Sequence, residues 1–80
     1  MKISFIKYKN EKNFEIPKIF GMNVEEINEP EQIDEKIEKL KEQEYTIVII
    51  PNELASFSEN IISKYKYDNS LNIIITHYKD

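Results

Sequence analysis

The sequence has no cysteine and no tryptophan, and only one histidine and one glycine among its 80 residues. The absence of cysteine excludes disulfides, thiolate zinc sites, iron–sulfur clusters and a cysteine nucleophile. A single histidine excludes a metal site with two histidine ligands. Loops that cradle phosphates need several glycines, so the sequence predicts no nucleotide-binding loop.

Long apolar runs are also missing. The longest lie at 47–51 and 73–75, far below the roughly 20 residues that cross a membrane. The N-terminal segment has too few apolar residues for a signal peptide. These features predict a cytoplasmic protein.

The charge balance is acidic, because 15 Asp and Glu residues outnumber 11 lysines and give a formal net charge of −4. Nucleic-acid-binding proteins usually present a basic surface with arginines, so nucleic acid is disfavoured as a partner. The acidic residues between 25 and 35 lack the spacing and the turn glycine of a calcium loop. They are interpreted as a solvated surface, and the sequence predicts no metal and no cofactor.

The first half of the chain predicts two strands and two helices. Apolar β-formers at 2–8 predict a strand, and the apolar residues at 14–20 predict a short or irregular helix that ends at Gly21. A half-exposed edge strand is predicted at 22–27. A second helix begins near Pro30. Its buried face is a narrow stripe of Ile33, Ile37 and Leu40.

The second half predicts a strand, a helix and a final strand. The continuous β-branched run at 45–51 predicts a strand buried on both faces, so replacing Ile49 by alanine is expected to cost roughly 2–5 kcal/mol. One helix is predicted after Asn52, and a final apolar strand at 71–77. The buried stripe of that helix is Leu54, Phe57, Ile61, Ile62 and Tyr65.

The alternation of strands and helices predicts a single α/β domain over residues 1–80. Its sheet is expected to be small, open, four-stranded and parallel, with right-handed crossovers. The predicted strand order is 2-1-3-4, with helices on both faces. The apolar composition of strands three and four predicts that both are central or nearly central.

Candidate functional residues follow from this topology, because ligands of open parallel sheets bind at the carboxyl ends of the strands. Those ends carry Tyr8, Lys9, Asn52, Glu53 and His77. They lack the aspartates with which receiver domains bind Mg²⁺ and accept a phosphoryl group. His77 is either a general base or a polar residue that leaves the last strand, and no serine or carboxylate beside it in sequence suggests a triad. We therefore predict partner contacts and no enzymatic activity.

Two further tyrosines, Tyr67 and Tyr78, fall outside the buried periodicity of the last helix. Tyrosine is enriched in the energetically important part of interfaces. These residues are either partner contacts or ordinary exposed tyrosines.

The order of motifs resembles one family along nearly the whole chain. The matching stretches lie at 1–3, 20–21, 28–32, 37–40, 45–50, 52–55, 62–65 and 73–75. They resemble the N-terminal domain of the subunit-F family of V/A-type (archaeal/vacuolar-type) ATP synthases. The resemblance implies a receiver-like parallel sheet and a non-catalytic role on the central stalk, against the stalk's coiled coil, in rotary coupling. Membrane association would then be indirect, through the complex.

The sequence departs from this family at two places. Strand one is followed by Tyr8-Lys9-Asn10 where the family has Gly-Asp, and residues 14–17 replace its Gly-Phe. The family also continues beyond strand four. A second hypothesis is therefore a paralogue that serves as a free-standing interaction or regulatory module. Such a module could be a homodimer formed through strand four or the last helix.

Overall fold

The computed structural model describes residues 1–77, which contain four strands and four α-helices. The elements are β1 (Ile3–Tyr8), α1 (Glu15–Ile19), β2 (Asn23–Ile27), α2 (Ile33–Glu42), β3 (Ile47–Pro51), α3 (Asn52–Ala55), α4 (Glu59–Lys66) and β4 (Asn72–Thr76). A 3₁₀ turn at Pro30–Gln32 precedes α2. No helix among the described residues is long and apolar enough to cross a membrane.

The four strands form one parallel sheet in the order β2-β1-β3-β4, which confirms the predicted α/β topology. The register places Phe5 of β1 between Val24 of β2 and Ile49 of β3. Ile49 in turn lies opposite Ile74 of β4. Because side chains alternate along a strand, this register decides which residues share a face of the sheet.

One face of the sheet, the core face, contains most of the hydrophobic core. Ile6, Val48 and Ile50 project from it and are fully buried. The helices that cover it are α2, α3 and α4. Their buried residues on this face are Ile33, Ile37, Leu40, Leu54 and Tyr65. The predicted stripe of α2 is thus confirmed.

The opposite face, the open face, is only partly covered. α1 lies over β1 and β2, where the rings of Phe14 and Phe5 are 4.9 Å apart between centroids. Farther along the same face, Ile49 is half-buried and Ile74 is 40% exposed. Helices therefore lie on both faces, but three of the four described α-helices cover the core face.

Strand four lies at the edge of the sheet, so its apolar composition does not reflect a central position, although the predicted strand order is confirmed. β3 does lie inside the sheet, but its open face is only partly buried, since Ile47 and Ile49 are half-buried and only Pro51 at its end is buried there. Apolar composition predicted burial on two faces. The actual burial depends on which helices cover each face, and α1 is too short to reach across the sheet.

The predicted helix after β3 is interrupted. α3 ends at Ala55 and α4 begins at Glu59, and Phe57 in the connection is 47% exposed instead of buried. Ser58, in the same connection, is buried, and its hydroxyl makes no hydrogen bond among the described residues. Tyr65 keeps its predicted place in the core.

Two local features explain where the helices begin and end. Gly21 follows α1 with φ of +76°, a left-handed conformation that glycine adopts without strain and that ends the helix as predicted. Before α2, Oε1 of Gln32 accepts hydrogen bonds from the backbone N–H groups of Asn28 (2.8 Å) and Glu29 (3.0 Å). The side chain of Gln32 thus fixes the chain entering the 3₁₀ turn.

Candidate functional site

Five sequence-predicted residues lie at the carboxyl edge of the sheet, as the parallel topology requires. Tyr8 ends β1, and Lys9 follows it; Asn52 and Glu53 begin α3 directly after β3; His77 follows β4. Tyr8 is half-buried and the other four are exposed. The edge is therefore an accessible polar surface, with the phenol of Tyr8 partly sheltered.

A side-chain hydrogen bond joins two loops at this edge. Nδ2 of Asn13 donates to Oε1 of Glu53 at 2.9 Å, which ties the loop after β1 to the first turn of α3. Glu53 was predicted from the sequence as a site residue, whereas Asn13 was not. No local pattern connects residues 40 positions apart, so only the folded chain reveals this pair.

Negatively charged carboxylates surround the phenol of Tyr8 at this edge. The pKa of the Tyr8 phenol is raised, first by partial burial and then by the carboxylates of Glu31, Glu53 and Glu11. The phenol therefore keeps its proton at neutral pH and is able to donate a hydrogen bond. Among residues 1–77, no group of three or more His, Asp or Glu side chains is arranged to hold a metal ion.

The remaining two predicted contact residues do not join this group. Tyr67 caps the carboxyl end of α4, and α4 runs back along the sheet to the start of β4. It therefore lies at the opposite end of the molecule, where it is exposed. Tyr78 lies outside the described residues.

A second surface, which was not among the sequence predictions, is formed by α1. Ile16, Ile19 and Phe20 are 68%, 76% and 78% exposed, respectively. They are spaced at i, i+3 and i+4, so they share one side of the helix, which points away from the sheet. We call these three residues the α1 apolar face. Exposed Met22 follows them in the chain.

The charges beside the α1 apolar face are paired within the chain. Nζ of Lys18 lies 3.1 Å from Oε2 of Glu26, and this hydrogen bond is the main reason why the pKa of Glu26 is lowered. Nζ of buried Lys7 lies 3.9 Å from Glu15 and 3.8 Å from Glu26. A partner at this surface therefore meets apolar side chains flanked by neutralised charges.

The signal for the α1 apolar face was present in the sequence. Four of the seven residues at 14–20 are large and apolar, and a short helix buries only one side. Phe14 occupies the sheet side, which leaves the other three for the outer side. The apolar pattern predicted the helix but not which of its sides packs on the sheet.

Comparison with known proteins identifies no family for this chain. No protein-family model matches it, and no curated protein matches it at a significant level.

Proposed function

We propose that this protein is a non-catalytic, subunit-F-like component of a V/A-type ATP synthase central stalk. It would act by protein–protein contact in rotary coupling and reach the membrane only through the complex. The proposal comes from the order of motifs along the chain, and a parallel sheet in the order β2-β1-β3-β4 is compatible with it. The α1 apolar face is the observation that carries it.

The α1 apolar face suits an α-helical partner. Side chains at i, i+3 and i+4 form the ridge that packs into the groove of a second helix. The three exposed side chains, Ile16, Ile19 and Phe20, supply apolar surface that a monomer leaves in water. Because Glu15 and Lys18 have intrachain ion-pair partners, this ridge favours an apolar stripe on the partner. The coiled coil of the stalk is a partner of this kind.

The carboxyl edge supports a non-enzymatic role. Its titratable groups are a tyrosine that stays protonated, exposed carboxylates and one exposed histidine. Lys9 and Glu53 are suited to polar contacts at the rim of an interface. We assign this edge, including Asn52 and His77, to secondary contacts around the apolar attachment.

A titration tests this proposal. The purified protein is titrated into the isolated central-stalk coiled coil of the same cells, and the heat of binding is measured. We expect one-to-one binding. Phe20→Lys in the α1 apolar face should weaken it at least tenfold, whereas Phe57→Lys makes the same change at an exposed site in the α3–α4 connection and should leave it unchanged. No binding, or equal effects of both variants, would reject the proposal.

A free-standing paralogue that serves as a small interaction or regulatory module is the second candidate. The exposed, uncharged edge of β4 favours it. Purification of the tagged protein at native expression separates the two candidates. Recovery of the stalk and head proteins of the ATP synthase supports the first, and recovery of the protein alone or with unrelated partners supports the second.

A further inference from the structure

The two edges of the sheet differ in how they are protected. On the β2 edge, Glu25 lies 3.3 Å from Lys36 and Glu26 lies 3.1 Å from Lys18, so ion pairs with the flanking helices cover the strand. Charges of this kind keep edge strands from pairing with other chains. The β4 edge, Asn72–Thr76, consists of asparagine, three isoleucines and threonine and has no charge.

The backbone of β4 has groups that face away from β3. The N–H of Asn72 donates to the carbonyl of Thr46 at 2.9 Å, so Asn72 points its N–H and C=O toward β3. Because this direction alternates along a strand, Ile74 and Thr76 also point toward β3. The N–H and C=O groups of Ile73 and Ile75 therefore point away from β3, toward the open edge of the sheet.

We propose that a second copy of this chain pairs with β4 in antiparallel orientation, about a two-fold axis at Ile74. In this register, Ile73 lies opposite the partner's Ile75, and the two residues exchange both backbone hydrogen bonds. Ile75 and the partner's Ile73, the pair related by the two-fold axis, do the same, so the interface has four backbone hydrogen bonds. Ile74 meets its own copy at the axis in a non-hydrogen-bonded pair, where side chains approach most closely.

A second copy fits this edge because the strand is complementary to itself. Antiparallel pairing about Ile74 matches Asn72 with Thr76 and Ile73 with Ile75. No pair brings like charges together, although each chain has a net charge of −4. Pairing would also cover exposed apolar surface on both faces: Ile74 on the open face and Ile75 on the core face. The product is a continuous eight-stranded sheet.

The interface is small, and this sets the expected affinity. One strand pair and the isoleucines around it bury less than a standard interface of about 1,600 Å². We therefore expect a dissociation constant on the order of 100 µM rather than nanomolar. The inference is independent of the stalk partner proposed above, since the α1 apolar face stays free in the dimer.

Cross-linking tests the register directly, because the chain has no native cysteine. A non-hydrogen-bonded antiparallel pair has Cα atoms about 4.5 Å apart, within the range of a disulfide. Ile74→Cys should therefore form a covalent dimer under mild oxidation. The matched control is Asn72→Cys on the same face of the strand, because its copy would lie about 13 Å away. We expect the control to stay uncross-linked; equal cross-linking of both variants, or none at position 74, would overturn the register.

Sedimentation equilibrium tests the association itself. Ile74→Lys brings two lysines together at the axis, and Ile75→Pro removes an outward N–H without breaking the ladder to β3. Each should raise the dimer dissociation constant at least tenfold, with circular dichroism used to verify folding. Ile19→Lys makes the same substitution on the α1 apolar face and should leave the constant unchanged. A monomer at all concentrations up to about 1 mM, or open-ended association, would overturn the proposal.

Discussion

The phenol of Tyr65 donates a 2.6 Å hydrogen bond to Oε1 of Glu38 and thereby joins α4 to α2 over the core face. Burial and this bond raise the pKa of Tyr65 to about 12. The same bond is the main cause of the lowered pKa of Glu38, whose other carboxylate oxygen lies 3.5 Å from Nζ of Lys64. The two helices are thus linked by a protonated phenol and an ionised carboxylate.

Removal of this phenol should destabilise the fold. We expect Tyr65→Phe to lower the free energy of unfolding by about 1.5 kcal/mol at pH 7, the usual range for a hydrogen bond to a charged group. Urea denaturation measures this change. The control is Tyr67→Phe, because Tyr67 is exposed at the end of α4, and it should have little effect. Equal stability of Tyr65→Phe and the parent would show that the bond contributes nothing.

The effect of Tyr65→Phe should also depend on pH. The raised pKa of Tyr65 stabilises the folded state below pH 10, and this contribution is lost as the pH rises from 10 toward 12. The lowered pKa of Glu38 stabilises it above the ordinary value of 4.5, and this contribution is lost as the pH falls below that value. The difference between parent and variant should therefore be largest between about pH 5 and pH 10. A difference that is constant across this range and beyond it would contradict the assignment.

Buried Lys7 should lower stability rather than increase it. Its side chain is 3% exposed, and its two carboxylate partners lie at 3.8 and 3.9 Å, too long for strong charge-assisted hydrogen bonds. We expect Lys7→Met, which keeps the volume and removes the charge, to raise the free energy of unfolding by about 1 kcal/mol. Lys18→Met removes an exposed partner of the same Glu26 and is the control. A loss of stability in Lys7→Met would show that these ion pairs outweigh desolvation.

The two faces of β3 should differ in their response to truncation. Ile50 is fully buried on the core face, whereas Ile49 is half-buried on the open face. We expect Ile50→Ala to cost about 3–4 kcal/mol and Ile49→Ala about 1–2 kcal/mol, because the lost transfer energy and cavity scale with burial. Urea denaturation of both variants gives the comparison. Equal costs would mean that the open face around Ile49 is covered in solution.

The difference in burial between the two faces of β3 shows what the sequence could predict and what it could not. Alternating apolar strands and helices predicted the parallel sheet and its order, because few topologies connect such elements with right-handed crossovers. The apolar run of β3 did not reveal that one face is partly open, since coverage depends on the length and position of α1. The apolar composition of β4 likewise predicted a central or nearly central strand, whereas β4 lies at the edge of the sheet.

The candidate site was predictable to a similar extent. The carboxyl edge followed from topology alone, so Tyr8, Lys9 and Glu53 were located correctly. Asn13 was not, because its bond to Glu53 joins two loops that are distant in sequence. The α1 apolar face was not predicted, because the apolar residues at 14–20 indicated a short helix but not which of its sides packs on the sheet.

The start of α4 provides a test in which the structure and a sequence rule disagree. Ser58 precedes the helix, and serine at this position normally caps the first turn, so the rule predicts a loss of about 1 kcal/mol on replacement by alanine. Here the side chain makes no capping hydrogen bond, and Oγ is buried without a partner among the described residues. The N–H of Ile62 donates to the backbone carbonyl of Ser58 at 2.8 Å, the ordinary first bond of the helix, which any residue at position 58 provides. Since a buried unpaired hydroxyl is unfavourable, we expect Ser58→Ala to raise the free energy of unfolding by about 0.5–1 kcal/mol.

Ser63→Ala, on the exposed side of α4, is the matched control for the change in composition and helix propensity. A destabilised Ser58→Ala variant would show that the hydroxyl does cap α4 in solution.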